Sequence, residues 1–161
     1  MMPRVGIVGL GRTGTQAARR LLAAQPEAVL TLYDMRPERC EPFRGQATLA
    51  FAAAEVLRES DTIVLALPGE HEIDRTLERF SDGRVAAPVA GKLVLDLSPL
   101  GDDAAQRLGA ALAAAGAGYA RARVDTGDAP LLAGTHADPD LSLTLLALLT
   151  GATPAVGGSG A

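Results

Sequence analysis

Three glycines at fixed spacing, in Gly9-Leu10-Gly11-Arg12-Thr13-Gly14, are the residues of this chain best suited to holding a charged ligand. They follow the β-branched run Arg4–Val8. They open a segment in which Ala17, Ala18, Leu21 and Leu22 share one helical face while Arg19 and Arg20 face water. About 20 residues beyond the last glycine, where the next apolar run ends, stands Asp34. A strand, a glycine turn, a helix and an acid at that interval form a dinucleotide-binding fingerprint. Gly9 permits the tight turn, Gly11 lets the backbone approach a pyrophosphate, and Gly14 lets the helix pack on the strand. The N-terminal N–H groups of the helix are then aimed at the phosphates. Asp34, with Met35 beside it, accepts hydrogen bonds from the adenosine ribose. Its charge repels a 2′-phosphate and favours NAD. Arg36, two residues on, could instead clamp that phosphate, which keeps NADP as the alternative.

Groups able to carry a proton are few. Lys92 is the one lysine of the sequence, and it precedes the strand Leu93–Leu95. Ligands of open α/β sheets bind beyond the carboxyl ends of strands, so Lys92 belongs at the other end of the molecule. His71 follows Leu67-Pro68 and lies on the ligand side. His136 falls in an irregular stretch. Cys40 has no histidine placed beside it to activate it. Ser98, past the strand Leu93–Leu95, is a polar contact for a nicotinamide or a substrate, and equally a helix cap ahead of Pro99. Arg121 and Arg123 share one face of a strand, where they either meet an acidic ligand or guard a sheet edge.

The elements that must position these residues alternate. Strands are expected at Arg4–Val8, Ala28–Tyr33, Ala47–Phe51, Thr62–Leu67, Leu93–Leu95 and Tyr119–Val124. Helices are expected at Thr13–Ala24, Ala52–Glu59, His71–Phe80, Asp102–Ala115 and Leu141–Leu149. Arg36–Phe43 reads as a short helix or turn, and Thr153–Gly157 as a final edge strand. Thr62–Leu67 is apolar without alternation, the mark of a strand covered on both faces. The fold class is therefore α/β, a Rossmann-type doubly wound and mostly parallel sheet, in one domain over residues 1–161.

Composition narrows the partners. Lys+Arg 15 against Asp+Glu 19 gives a net charge of −4, and aromatics are 3%, which argues against a nucleic-acid surface. A single cysteine excludes a disulfide framework and a cysteine-built zinc site, and no metal is expected. The start of the chain lacks the apolar stretch of a signal peptide, and Leu141–Leu149 is too short to span a bilayer. A cytoplasmic protein without membrane or nucleic-acid partners is the expectation.

Several segments in order resemble the N-terminal domain of the β-hydroxyacid dehydrogenases, which include 3-hydroxyisobutyrate and 6-phosphogluconate dehydrogenases. Val5-Gly6-Ile7-Val8-Gly9-Leu10-Gly11 is similar to the family's opening, and Leu32-Tyr33-Asp34-Met35-Arg36 to the end of its second strand. Asp61 to Leu67-Pro68 resembles the fourth strand, whose end touches the cofactor. Gly91-Lys92-Leu93-Val94-Leu95-Asp96-Leu97-Ser98 is similar to the segment that ends Asp-x-Ser-Thr in the family, with Pro99 here in place of Thr. The resemblance covers about the first 120 residues well and the last 40 loosely.

It implies NAD(P) as cofactor, a small-molecule substrate, and hydride transfer between the nicotinamide and a small 3-hydroxy acid. Implied cofactor contacts are Gly9, Leu10, Gly11, Arg12, Thr13, Gly14, Asp34, Met35, Arg36, Leu67, Pro68 and Ser98. The family's substrate loop is altered here. Asp125 occupies the serine position, and only Ala122, Val124 and Gly127 of Arg121–Gly127 match. The family's catalytic lysine, which belongs to a C-terminal helical domain, has no counterpart, so the catalytic residue is unknown. Two other readings stand: a non-catalytic nucleotide-binding module or remnant, and a prephenate-dehydrogenase-like oxidoreductase, for which His136 is poorly spaced. A homodimer, or association with a helical domain, is the expected assembly.

Overall fold

The computed structural model describes residues 4–122, 131–133 and 139–151. Strands β1 (Arg4–Val8), β2 (Val29–Tyr33), β3 (Thr48–Leu49), β4 (Thr62–Leu65), β5 (Leu93–Asp96), β6 (Gly118–Arg121) and β7 (Leu131–Ala133) form a single sheet. Helices α1 (Arg12–Ala24), α2 (Ala53–Glu59), α3 (Glu70–Leu77), α4 (Asp102–Ala114) and α5 (Pro139–Thr150) cover it. The strand order is β3-β2-β1-β4-β5-β6-β7, with every pairing parallel except β6 with β7. The chain winds outward from β1 to β3, then returns beside β1 at β4 and winds the other way. That reversal opens a crevice beyond the carboxyl ends of β1 and β4, where sheets of this kind take their ligands. The expected α/β fold is the one found.

Alternation along each strand sends side chains to opposite faces, and each face has its own core. Ile7, Leu32, Val64, Leu95 and Ala120 point to the layer of α1 and α5, against Ala17, Ala18, Leu21, Leu146 and Leu149. Val8, Ile63, Leu65, Val94 and Tyr119 point to α2, α3 and α4, against Val56, Leu57, Ile73, Leu108 and Leu112. All four residues of β4 are buried, which explains its unbroken apolar sequence. Pro139 opens α5 and Gly151 follows its end at φ 73°. Arg20 reaches across from α1 to donate to the Leu149 carbonyl at 3.2 Å, supplying a cationic donor to the end of a helix whose last carbonyls have no N–H partner within it.

The structure departs from the expected elements at particular places. β3 has two residues rather than the five of Ala47–Phe51, because it lies at the sheet edge and pairs only with β2. Arg36–Phe43 resolves into two 3-10 turns, Pro37–Arg39 and Glu41–Phe43, that bury Cys40 and Phe43. β4 and α3 are shorter than expected at their carboxyl ends. β7 was not foreseen. It pairs antiparallel along β6, so β6 is interior and Arg121 guards no edge. Arg123 and the proposed strand Thr153–Gly157 lie outside the described residues. Among the described residues no helix is long and apolar enough to cross a membrane.

Candidate dinucleotide site

The carboxyl ends of β1, β2, β4 and β5 converge on a cavity of about 520 Å³, a size suited to a small-molecule ligand. The glycine turn contributes Gly9, Gly11, Arg12 and Thr13, and the end of β2 contributes Tyr33, Asp34 and Met35. Ala66, Leu67 and Pro68 after β4, with Leu97 and Pro99 after β5, form the opposite wall. Three arginines (Arg12, Arg39 and Arg75) face two carboxylates (Asp34 and Glu72) across this lining, a balance that favours an anion.

Each glycine of the turn answers a different demand. Gly9 sits at φ +99°, a left-handed conformation that L side chains rarely adopt, and a Cβ there would lie 2.3 Å from the Ala66 carbonyl oxygen. At Gly14 a Cβ would fall 1.8 Å from the Gly9 carbonyl oxygen, so α1 can approach β1 only without one. Around Gly11 a Cβ would meet nothing within 4 Å. The protein's own packing therefore does not require glycine there, and the space lies in the cavity wall. Gly11 is also the residue that caps α1, with no side chain to bond the first N–H groups of that helix. Those donors are left for an anion. The residues present thus fit a pyrophosphate: open backbone, free donors and positive charge at one place.

Asp34 is 8% exposed, and its carboxylate is tied to the loop it was expected to serve. Oδ2 accepts the Leu10 N–H at 2.6 Å and Oδ1 accepts the Arg36 N–H at 2.8 Å. The Arg39 guanidinium stands 3.7 Å from Oδ2. A carboxylate oxygen has room for a second donor, so an acid in this lining can both brace the glycine turn and receive a ribose hydroxyl. At the opposite wall Ser98 is 5% exposed, and its hydroxyl accepts the Leu67 N–H at 2.9 Å.

Of the residues expected to touch the cofactor, Gly9, Gly11, Arg12, Thr13, Asp34, Met35, Leu67 and Pro68 line the cavity together. Leu10, Gly14, Arg36 and Ser98 do not line it. Leu10 is buried, and its N–H is used by Asp34. Gly14 serves packing, Arg36 is exposed and offers Asp34 its backbone, and Ser98 braces Leu67. Sequence reasoning missed Arg39, Glu72, Arg75 and Thr76. Arg39 had a signal, standing three residues after Arg36 in the same turn. The α3 residues had none, because their place depends on how that helix crosses the strand ends.

The cavity lining holds no lysine, histidine or cysteine among the described residues. Lys92 donates to the Leu57 and Arg58 carbonyls, finishing α2 at the amino end of β5. Burial lowers its ammonium. His71 is exposed on α3 and outside the lining. Burial pushes the Cys40 thiol up, away from nucleophile character. Asp125 and His136, on which the altered substrate loop and the prephenate-dehydrogenase-like reading depend, lie outside the described residues.

The sequence profile of the NAD binding domain of 6-phosphogluconate dehydrogenase matches residues 4–137. Among solved structures the chain is similar to a reductive aminase from Aspergillus terreus in complex with NADPH and ethyl-5-oxohexanoate. Identity is 25% and the TM-score 0.63, over 75% of this chain and 40% of that one. It is also similar to Psf3 in complex with NADP+ and 2-OPP, at 30% identity and TM-score 0.63, over 72% of this chain and 40% of the other. The imine reductase from Myxococcus stipitatus in complex with NADP+ shares the fold, at 22% identity and TM-score 0.64, over 74% and 40%. The chain thus spans about two fifths of the length of these structures. A search of the curated proteins gave no match.

Proposed function

We propose that this chain, which belongs to the NAD-binding domain family of 6-phosphogluconate dehydrogenase, is the cofactor domain of an oxidoreductase acting on a small 3-hydroxy acid. The observation that carries the reading is the single cavity shared by the open Gly11 turn, Asp34 and the Leu67-Pro68 wall. The bound dinucleotide would supply the hydride. The chain's own residues hold it: the first N–H groups of α1 and Arg12 take the pyrophosphate, and Asp34 takes the adenosine ribose. Leu67, Pro68, Leu97 and Pro99 give the nicotinamide an apolar wall. Asp34 weighs against a 2′-phosphate and Arg39 beside it weighs for one. With the carboxylate fixed by two N–H groups and the guanidinium 42% exposed, NADH is the favoured form.

Titration calorimetry with NADH and NADPH tests this. Binding of both, with NADH tighter by roughly tenfold, is expected from one charged contact of about 1.4 kcal/mol. Binding of neither overturns the reading, and tighter NADPH transfers control of the ribose end to Arg39.

A second reading, reduction of a carbon–nitrogen double bond, is favoured by the likeness to the reductive aminase at 25% identity. In either case substrate would be enclosed between this domain and a helical domain, or within a homodimer, in a cytoplasmic protein. The 161 residues would then form one dinucleotide domain. The position of Lys92 far from the cavity supports the competing view of a non-catalytic module. Turnover of small 3-hydroxy acids or imines by this chain alone is expected near background, and robust turnover would show that the proton carrier lies within it.

A further inference from the structure

Behind the wall formed after β4 and β5 runs a buried polar chain that dinucleotide binding does not use directly. Asp96 is 0% exposed at the end of β5. Tyr119, equally buried on β6, donates its hydroxyl to Asp96 Oδ2 at 2.6 Å, and the Ser98 N–H donates to Asp96 Oδ1 at 2.9 Å. Ser98 Oγ in turn accepts the Leu67 N–H at 2.9 Å and faces the Leu65 carbonyl at 3.4 Å. Two residues along β6, Arg121 donates to the Leu100 carbonyl at 2.7 Å and to Asp102 Oδ1 at 3.2 Å. β6 therefore grips the segment leaving β5 at two points, Asp96–Ser98 and Leu100–Asp102. Leu97, inside the first grip, and Pro99, between the two, line the cavity, as does Leu67 at the end of the chain of bonds.

The arrangement is costly to build. An ionisable carboxyl is taken wholly out of water, where apolar residues of the same volume would pack at less expense. α4 also gives up a side chain at Gly109, where a Cβ would stand 3.1 Å from the Tyr119 ring. Glycine inside a helix lowers its stability, so room for this ring is bought at a second place. What the network delivers is a fixed position for three cavity-lining residues, all on the β5 side of the crevice. Asp34 and Arg39 lie on the β2 side.

We propose that Tyr119, through Asp96 and Ser98, and Arg121, through Leu100, are positioning residues for the nicotinamide half of the dinucleotide alone. The proposal rests on the cofactor reading above, in which the adenosine half belongs to Asp34.

The test compares NADH with ADP-ribose, which keeps the adenosine and both phosphates but lacks the nicotinamide. Titrated into the full chain carrying Tyr119→Phe, NADH is expected to bind roughly fivefold more weakly or worse, and ADP-ribose within about twofold of the unaltered chain. The emission of bound NADH should shift toward that of free NADH. A merely structural role would weaken both ligands together, and that result overturns the proposal, as does an unchanged NADH affinity. Should Tyr119→Phe fail to fold, Arg121→Met loosens the same wall from its other end while keeping its aliphatic bulk. The same selective loss is expected there, and an equal loss of both ligands overturns the proposal. If the unaltered chain binds neither ligand, the cofactor reading itself falls, which is distinct from unaltered binding with no effect of the variants.

Discussion

At the scale of single residues, the glycine turn separates two roles that a motif merges. Gly14 is required by packing, since a Cβ would fall 1.8 Å from backbone, whereas Gly11 is open on its own account. Gly14→Ala should therefore lower stability by several kcal/mol through overpacking against backbone that cannot yield. Gly11→Ala should leave the melting temperature within a few degrees and weaken NADH binding roughly tenfold or more, because the added methyl stands where the pyrophosphate approaches. Thermal melts beside titrations of both variants check this, and equal affinity for Gly11→Ala and the parent would refute it. Asp34 was legible from its interval alone. Its bonds to Leu10 and Arg36 were not, since spacing places a carboxylate near a loop without saying which donors fill it.

At the scale of elements, the pairing of β5 with β6 sets a pH dependence. Burial raises the Asp96 carboxyl above its ordinary range, and hydrogen bonds from Tyr119 and Ser98 with the Arg121 charge offset this only in part. A carboxyl whose native value is raised stabilises the fold fully below its unfolded value, and that contribution is lost as pH rises through the native one. The window opens at about pH 4 and runs upward. Asp96→Asn cannot ionise, so its melting temperature relative to the parent should climb from pH 4 to pH 8. A difference that stays constant across that range would show that Asp96 does not titrate in the fold.

This network could not be read from sequence, because its members are joined only by the β5–β6 register, which sets Asp96 against Arg121 two residues beyond Tyr119. β7 escaped notice for a different reason. Three residues are too few to show a period of two. By contrast β4 was plain, since burial on both faces leaves an unbroken apolar run that few other environments tolerate.

At the scale of the whole molecule, the cavity draws on the ends of four strands, three helices and the turns between them, so a ligand there ties the domain together. A dinucleotide at 100 times its dissociation constant should add about 2.7 kcal/mol to stability, which for a domain of this size is roughly 5–10 °C in melting temperature. Calorimetric scans with and without NADH should show one transition moving as a unit, and a transition that does not move would place the ligand elsewhere or nowhere.

The sheet that supports this cavity is long in its middle and short at both sides: two residues in β3, three described in β7. Unpaired N–H and C=O groups along a sheet margin are templates for further strands, and a margin of two or three residues offers hardly one pair of bonds to a newcomer. Strands β1, β4 and β5, rich in valine, isoleucine and leucine, lie inside these outermost strands and are paired on both sides. Lengthening β3 would extend the backbone that a further strand could pair with, and so raise the tendency to associate edge to edge.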